Sequence, residues 1–229
     1  MSLPSRDARP EGTLEVDDPF RGDVACTVPL ASWEEVERTL DAARGAVRTA
    51  ADTSVAQRIA WCEAAVKAME ERRDAIAEDV SRMMGKPVSQ ARNEVSGMAL
   101  RARHMMSIAE ASLADIVLPP SGKLDRRIAK VPLGVVLDLP AWNYPLLTAV
   151  NCVVPAVLAG NAVVLKHSPR TPLSGEHFAA AFRAAGAPPN LVQALHCDHA
   201  TSERMVGDAR VDYVVFTGSV YGGHRIQAA

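Results

Sequence analysis

Three short segments hold most of the residues whose types and spacing suit chemistry: Pro140-Ala141-Trp142-Asn143-Tyr144-Pro145, Lys166-His167-Ser168-Pro169, and Thr217-Gly218-Ser219-Val220-Tyr221-Gly222-Gly223. Each follows an apolar, β-prone run: VVLDL, AVVL and VDYVVF. In an open parallel sheet, ligands bind outside the carboxyl ends of the strands, so the three segments can line one cleft. The third is a glycine-rich turn that opens a helix, where free N–H groups and the positive end of the helix dipole favour a phosphate. It does not follow the G-x-G-x-x-G spacing, so Gly218, Gly222 and Gly223 read equally well as turn residues. Lys166 can hold a ribose hydroxyl or a phosphate, or carry its ammonium along its apolar stem to water. Asn143 sits in an uncharged stretch, where an amide without a partner costs about 1–3 kcal/mol. Its partner is either a backbone group of the proline-bounded turn or a substrate oxygen that becomes negative during reaction. Trp142 beside it reads as a packing residue.

Other reactive side chains carry less. Cys26, Cys62, Cys152 and Cys197 form no Cys-x-x-Cys pair and none of the density of a secreted disulfide scaffold, which suits a reducing, cytoplasmic setting. Cys62 and Cys152 fall in apolar helix faces and read as inert packing. His196-Cys197-x-His199 offers imidazole and thiolate, ligands that zinc favours. Adjacent residues rarely both ligate, however, and no fourth ligand is spaced nearby, so no metal is expected. The basic groups Arg101-Ala102-Arg103-His104 and Arg126-Arg127 read as solvated faces. With 25 basic against 27 acidic residues and a net charge of -2, no field draws the chain to nucleic acid or an anionic membrane.

The elements that must position these residues are legible in pattern. The 229 residues, 48% hydrophobic and 23% charged, suit one α/β domain with a sizeable core. The opening MSLPSRDARPEG has no apolar core of a secretory signal and reads as a tag-like start. The first half reads as helical. Ser32-Trp33-Glu34-Glu35 and Ser54-Val55-Ala56-Gln57 both fit the capping box. The second box is expected to open one helix running to Gly85, and a third helix should span about Ser89 to Glu110. The stretch IVLPPSGKLDRRIAK then predicts a ribbon turning at Pro-Pro-Ser-Gly. Beyond it strands and helices alternate, which predicts a parallel sheet. Leu139 to Leu165 is uncharged throughout, but its prolines, asparagines and Gly160 fit a turn, a buried helix and a strand rather than a membrane span.

In order and texture these segments resemble the aldehyde dehydrogenase superfamily. The resemblance rests on Gly85-Lys86-Pro87 with Ala91-Arg92-Asn93-Glu94-Val95, Pro132-Leu133-Gly134-Val135-Val136, Trp142-Asn143-Tyr144-Pro145, Pro155-Ala156-x-x-Ala159-Gly160-Asn161, Val164-Leu165-Lys166, Thr171-Pro172-Leu173 and Phe216-Thr217-Gly218-Ser219. It implies a Rossmann-like parallel sheet fronted by a helical layer, with a protruding ribbon at about 114–132 that joins subunits into a homo-oligomer. It implies oxidation of an aldehyde to an acid through a cysteine thiohemiacetal, with hydride passed to NAD or NADP. It makes Asn143 the catalytic donor to the oxyanion. It lays Leu139, Pro140, Ala141, Trp142 and Asn143 along the cofactor, Lys166, His167, Ser168 and Pro169 by the adenosine ribose, and Gly218 and Ser219 at the pyrophosphate.

The departures carry information too. Ala141 intervenes between Pro140 and Trp142, where the family usually has proline directly before Trp-Asn. Pro169 stands where a carboxylate usually grips both ribose hydroxyls, which leaves NAD against NADP open. Leu195-His196-Cys197-Asp198-His199 replaces a glycine-rich stretch near the adenine. The family's general-base glutamate and nucleophilic cysteine fall beyond Ala229, so this chain is expected to be the cofactor-binding portion, inactive alone. Two other readings stay open: a nucleotide-binding module without turnover, marked by dinucleotide affinity alone, and a subunit-interaction module, marked by mixed oligomers without nucleotide affinity.

Overall fold

The structure is a computed structural model that describes residues 12–229 apart from residue 122. The expected tag-like start lies outside the described residues up to residue 11. The fold opens on a short antiparallel hairpin, β1 (Thr13–Asp17) and β2 (Val24–Pro29), where a wholly helical first half was expected. The strands alternate, yet only Val16 and Val28 are buried, so the apolar signal was thin. Asp18 closes the turn by accepting from the Phe20 and Arg21 amides.

Helices follow. In α1 (Trp33–Ala51) both arms of the Ser32–Glu35 capping box are made. The next expected helix divides into α2 (Val55–Glu71) and α3 (Arg73–Met84). The break has a cause: Glu71 to Ala75 are all exposed, leaving no apolar anchor between the buried faces that end at Met69 and resume at Ile76. At Ser54 only the forward half of the box forms, with its side chain accepting from the Gln57 amide. The fourth helix, α4 (Val88–Leu113), is somewhat longer than expected. Arg103 on α4 is more than a solvated face, since it reaches Glu63 at 2.8 Å and Glu70 at 2.6 Å on α2.

The ribbon pairs β3 (Ile116–Ser121) with β4 (Leu124–Ile128). Pro119 and Pro120 lie in β3 rather than in the turn, where a register shift between Leu118 and Ser121 accommodates them. The glycine of that turn signal lies outside the described residues.

The remainder is a four-stranded parallel sheet of β5 (Val135–Leu139), β6 (Ala162–Leu165), β7 (Val192–Ala194) and β8 (Tyr213–Phe216), ordered β7-β6-β5-β8. The connections are α5 (Pro145–Leu158), α6 (Leu173–Ala184) and α7 (His199–Val206), and α8 (Val220–Ala228) follows β8. β5 and β6 are buried throughout, as befits strands covered on both faces. Helix α1 lies against β5, β6 and β7, while α5 packs between the sheet and α4. Gly160, at φ +89°, turns the chain from α5 into β6 at the expected stop. From β5 the chain steps outward to β6 and β7, then returns past β5 to β8. The sheet's switch point therefore lies between β5 and β8. Among the described residues no helix is long and apolar enough to cross a membrane.

Candidate functional site

A cleft of about 570 Å³ opens at that switch point, lined by Leu139 to Asn143, Lys166, Ser168, Pro169 and Phe216 to Ser219. All three sequence segments meet there, held together by the backbone. The Thr217 amide donates to the Leu139 carbonyl at 3.1 Å, and the Lys166 amide donates to the Asp138 carbonyl at 3.0 Å. Thr148 on α5 ties the first segment back by donating its hydroxyl to the Ala141 carbonyl at 3.1 Å.

Asn143 is exposed, so the burial argument for its partner does not hold in this chain. Its Oδ1 accepts the Tyr144 amide at 3.1 Å, and its Nδ2 has no partner among the described residues. That leaves a donor pair free at the cleft wall. Trp142 is 50% exposed and lines the cleft, rather than packing in the core as its type suggested.

Lys166 is 6% exposed and lines the cleft, and no hydrogen bond or ion pair holds its Nζ among the described residues; its stem is buried while the ammonium reaches the cleft, an arrangement that the snorkelling alternative also describes. Burial pushes its pKa below the ordinary lysine value, while nearby Cys197 and Asp198 oppose that shift. A cation at the cleft wall without a protein partner is open to an incoming anion or hydroxyl.

His167 does not line the cleft. Its ring is 2% exposed, with Nε2 donating to the Pro145 carbonyl at 3.0 Å and Nδ1 accepting the Ser168 amide at 2.9 Å. These partners assign the neutral tautomer, and burial pushes the imidazole pKa down to about 4. Its role here is to join the Lys166 loop to the start of α5.

At the third segment, Ser219 caps α8 by accepting the Gly222 amide at 3.1 Å. A Cβ on Gly218 would lie 2.5 Å from the Phe216 ring, and one on Gly222 would lie 2.7 Å from it. Close approach to Phe216 thus adds a packing reason for glycine at 218 and 222, alongside their place in the turn. Gly218 and Ser219, just before the first turn of α8, line the cleft.

Sequence reasoning missed His199 and Ser202 of α7 and Ile226 of α8, which complete the lining. The available signal was Asp198, whose side chain accepts the Thr201 amide at 2.7 Å and so starts α7 beside Lys166. His196 is engaged with Glu176 at 2.8 Å, and Cys197 faces Ser202 at 3.4 Å, so the His-Cys-x-His run does not converge on one point. Burial pushes the Cys62 thiol up to about 12, and it raises the Cys152 and Cys197 thiols as well.

The sequence profile of the aldehyde dehydrogenase family matches residues 6–229. An aldehyde dehydrogenase of Paenarthrobacter nicotinovorans is 33% identical over 93% of this chain and 47% of its own length. A succinate semialdehyde dehydrogenase of Escherichia coli, named for NAD(P)+, is 31% identical over 92% of this chain and 46% of its own. The crystal structure of an NADP-dependent glyceraldehyde-3-phosphate dehydrogenase from Bacillus halodurans, complexed with NADP, superposes with a TM-score of 0.88 at 28% identity, covering 95% of this chain and 47% of that one. The chain spans about half the length of the curated relatives it matches.

Proposed function

The chain belongs to the aldehyde dehydrogenase family, and on that premise we propose that it is the nucleotide-binding part of an enzyme that oxidises an aldehyde to a carboxylic acid with NAD or NADP. The observation that carries the reading is one cleft lined by both the free Asn143 amide and the Lys166 ammonium, which stands on a buried stem without a partner among the described residues. A dinucleotide suits this donor set. Lys166 and Ser168 are the groups to hold the adenosine ribose, and the first turn of α8 is the place for the pyrophosphate. The Leu139–Trp142 segment and Pro169 wall the cofactor, and His167 fixes the loop from behind. The described lining holds no carboxylate, while Asp198 stands near Lys166, so the cleft leaves NAD against NADP open. When bound, the nicotinamide supplies a hydride acceptor.

Asn143 does its work as a thiolate adds to the aldehyde carbonyl. Its Nδ2 donates to the oxygen that becomes negative, a contribution of about 2.7–4 kcal/mol for such donors. No cysteine or glutamate is among the described residues lining the cleft, so in this reading the thiolate and the general base are supplied from outside that lining. We read residues 1–229 as one cofactor-binding domain. The ribbon at 114–132, with Val117 80% and Leu124 68% exposed, is the surface for homo-oligomer formation.

The test is aldehyde-dependent reduction of NAD+ or NADP+ by the intact polypeptide, with and without Asn143→Ala. The variant is expected to lose about 100- to 1000-fold in kcat. Undiminished turnover in the variant would remove Asn143 from the chemistry, and saturable nucleotide binding with no oxidation would favour a binding module instead.

A further inference from the structure

Glu94 and Lys86 form a buried ion pair, their side chains 1% and 7% exposed. Carboxylates at this depth persist when each oxygen is used, and both are used here. Oε2 takes the Lys86 ammonium, while Oε1 accepts the Leu146 amide at 2.8 Å and the Leu147 amide at 3.3 Å. Those are the second and third residues of α5, whose first residue, Pro145, has no N–H and whose N-cap position is held by Tyr144 without a side-chain cap. A distant carboxylate from α4 thus does what Ser, Thr or Asp at position 144 would do locally. The same pair grips the N-cap residue from its other side, for the Lys86 ammonium lies 4.0 Å from the centroid of the Tyr144 ring.

Trp142 and Asn143 directly precede this anchored residue and are themselves exposed, with few restraints of their own. A buried ion pair is a poor source of stability compared with apolar residues of the same volume. Its geometry here does something an apolar pair cannot: it fixes where α5 begins and how the turn before it is aimed. We propose that Glu94 is a positioning residue for the Trp142-Asn143 turn, acting through its cap on α5. The assignment of that turn to oxyanion stabilisation rests on the function proposed above, but the positioning itself does not.

Two double variants separate positioning from simple folding. Lys86→Met with Glu94→Leu removes charge and cap together; Lys86→Met with Glu94→Gln removes charge and keeps an acceptor for the Leu146 amide. Both avoid an unpaired buried ion. The readouts are the NMR resonances of the Trp142 indole and the Asn143 side-chain amide, with exchange at the Leu146 amide and the Trp33 and Trp61 indoles as controls of fold. The first variant is expected to move the Trp142 and Asn143 resonances and to speed Leu146 exchange by about tenfold, while the second stays near wild type. Equal Trp142 and Asn143 resonances in the two variants would overturn the proposal. So would loss of the Trp33 and Trp61 resonances in the first variant, which would mark a role in folding alone. The spectra are read without nucleotide or aldehyde, so absence of aldehyde oxidation by the wild type would sink the assigned reaction and leave this result standing.

Discussion

Leu139 and Phe216 are register partners at the carboxyl ends of β5 and β8, the two strands between which the sheet changes direction. The consequence is geometric. The loop after Leu139 and the turn after Phe216 diverge, and the crevice between them is where the cleft forms.

Phe216 also explains the glycines beyond it. Gly218→Ala would place a methyl 2.5 Å from the ring and force it out of position. Such overpacking typically destabilises by about 1–3 kcal/mol. The variant should melt at a lower temperature in calorimetry and lose nucleotide affinity as the ring enters the cleft. An unchanged melting temperature would show that the ring has room to move.

Arg58 is 8% exposed and serves three carbonyls: Leu158 at 2.8 Å, Thr53 at 2.7 Å and Ala50 at 3.3 Å. It thereby ties the end of α1 to the end of α5, behind the site. Arg58→Met keeps much of the stem but orphans these acceptors, and a loss of about 2–4 kcal/mol is expected. Denaturant unfolding checks it; a shift in midpoint worth less than half of that would contradict the account.

His167 sets one pH dependence. Its pKa falls from 6.5 in the unfolded chain to about 4 in the fold, so between those values the unfolded state holds more protons. Stability attributable to this residue therefore rises with pH across that window and is lost as pH falls through it, by about 3 kcal/mol in all. Unfolding free energies of wild type and His167→Asn, compared from pH 4 to 6.5, should diverge by that amount. Parallel profiles would show that the ring is not held neutral.

Asp138 pulls the other way. It is 1% exposed, its Oδ2 has no partner among the described residues, and burial raises its pKa well above 3.8. Here the folded state keeps a proton that the unfolded state releases. The residue therefore takes stability away as pH rises above 3.8, until the raised folded value is reached. Asp138→Asn should remove this slope, gaining on wild type by about 1.4 kcal/mol per pH unit within the window. The His167 and Asp138 slopes oppose each other just above pH 4, and each single variant exposes one. A constant offset between Asp138→Asn and wild type would refute the buried neutral acid.

What the sequence disclosed and what it hid divide along the range of the forces involved. The Ser32–Glu35 box and the Gly160 stop are local, and each stands where the pattern puts it. The break at Arg72 and the β1–β2 hairpin depend on packing partners far along the chain, and local periodicity did not carry them. The same holds in the cleft. That the Asn143, Lys166 and Gly218 segments converge follows from strand order, which alternation of elements reveals. Whether a side chain is wet or buried there does not follow: Lys166 is buried because β6 and its neighbours cover it, while Asn143 and Trp142 stand open. His167 looked like a ligand from its place in the loop, yet it turns inward to Pro145. Glu94 belonged to a recognisable motif, but its cap on Leu146 spans elements that no local window joins.

The central claim is that this cleft binds a nicotinamide dinucleotide through Lys166. A calorimetric titration of the purified protein with NAD+ and with NADP+, repeated with Lys166→Met, tests it most directly. The account predicts saturable binding of at least one nucleotide at a single site, weakened about tenfold or more in the variant, the loss expected for a charge-assisted contact. Wild type that binds neither nucleotide, or a variant that binds as tightly as wild type, would contradict it.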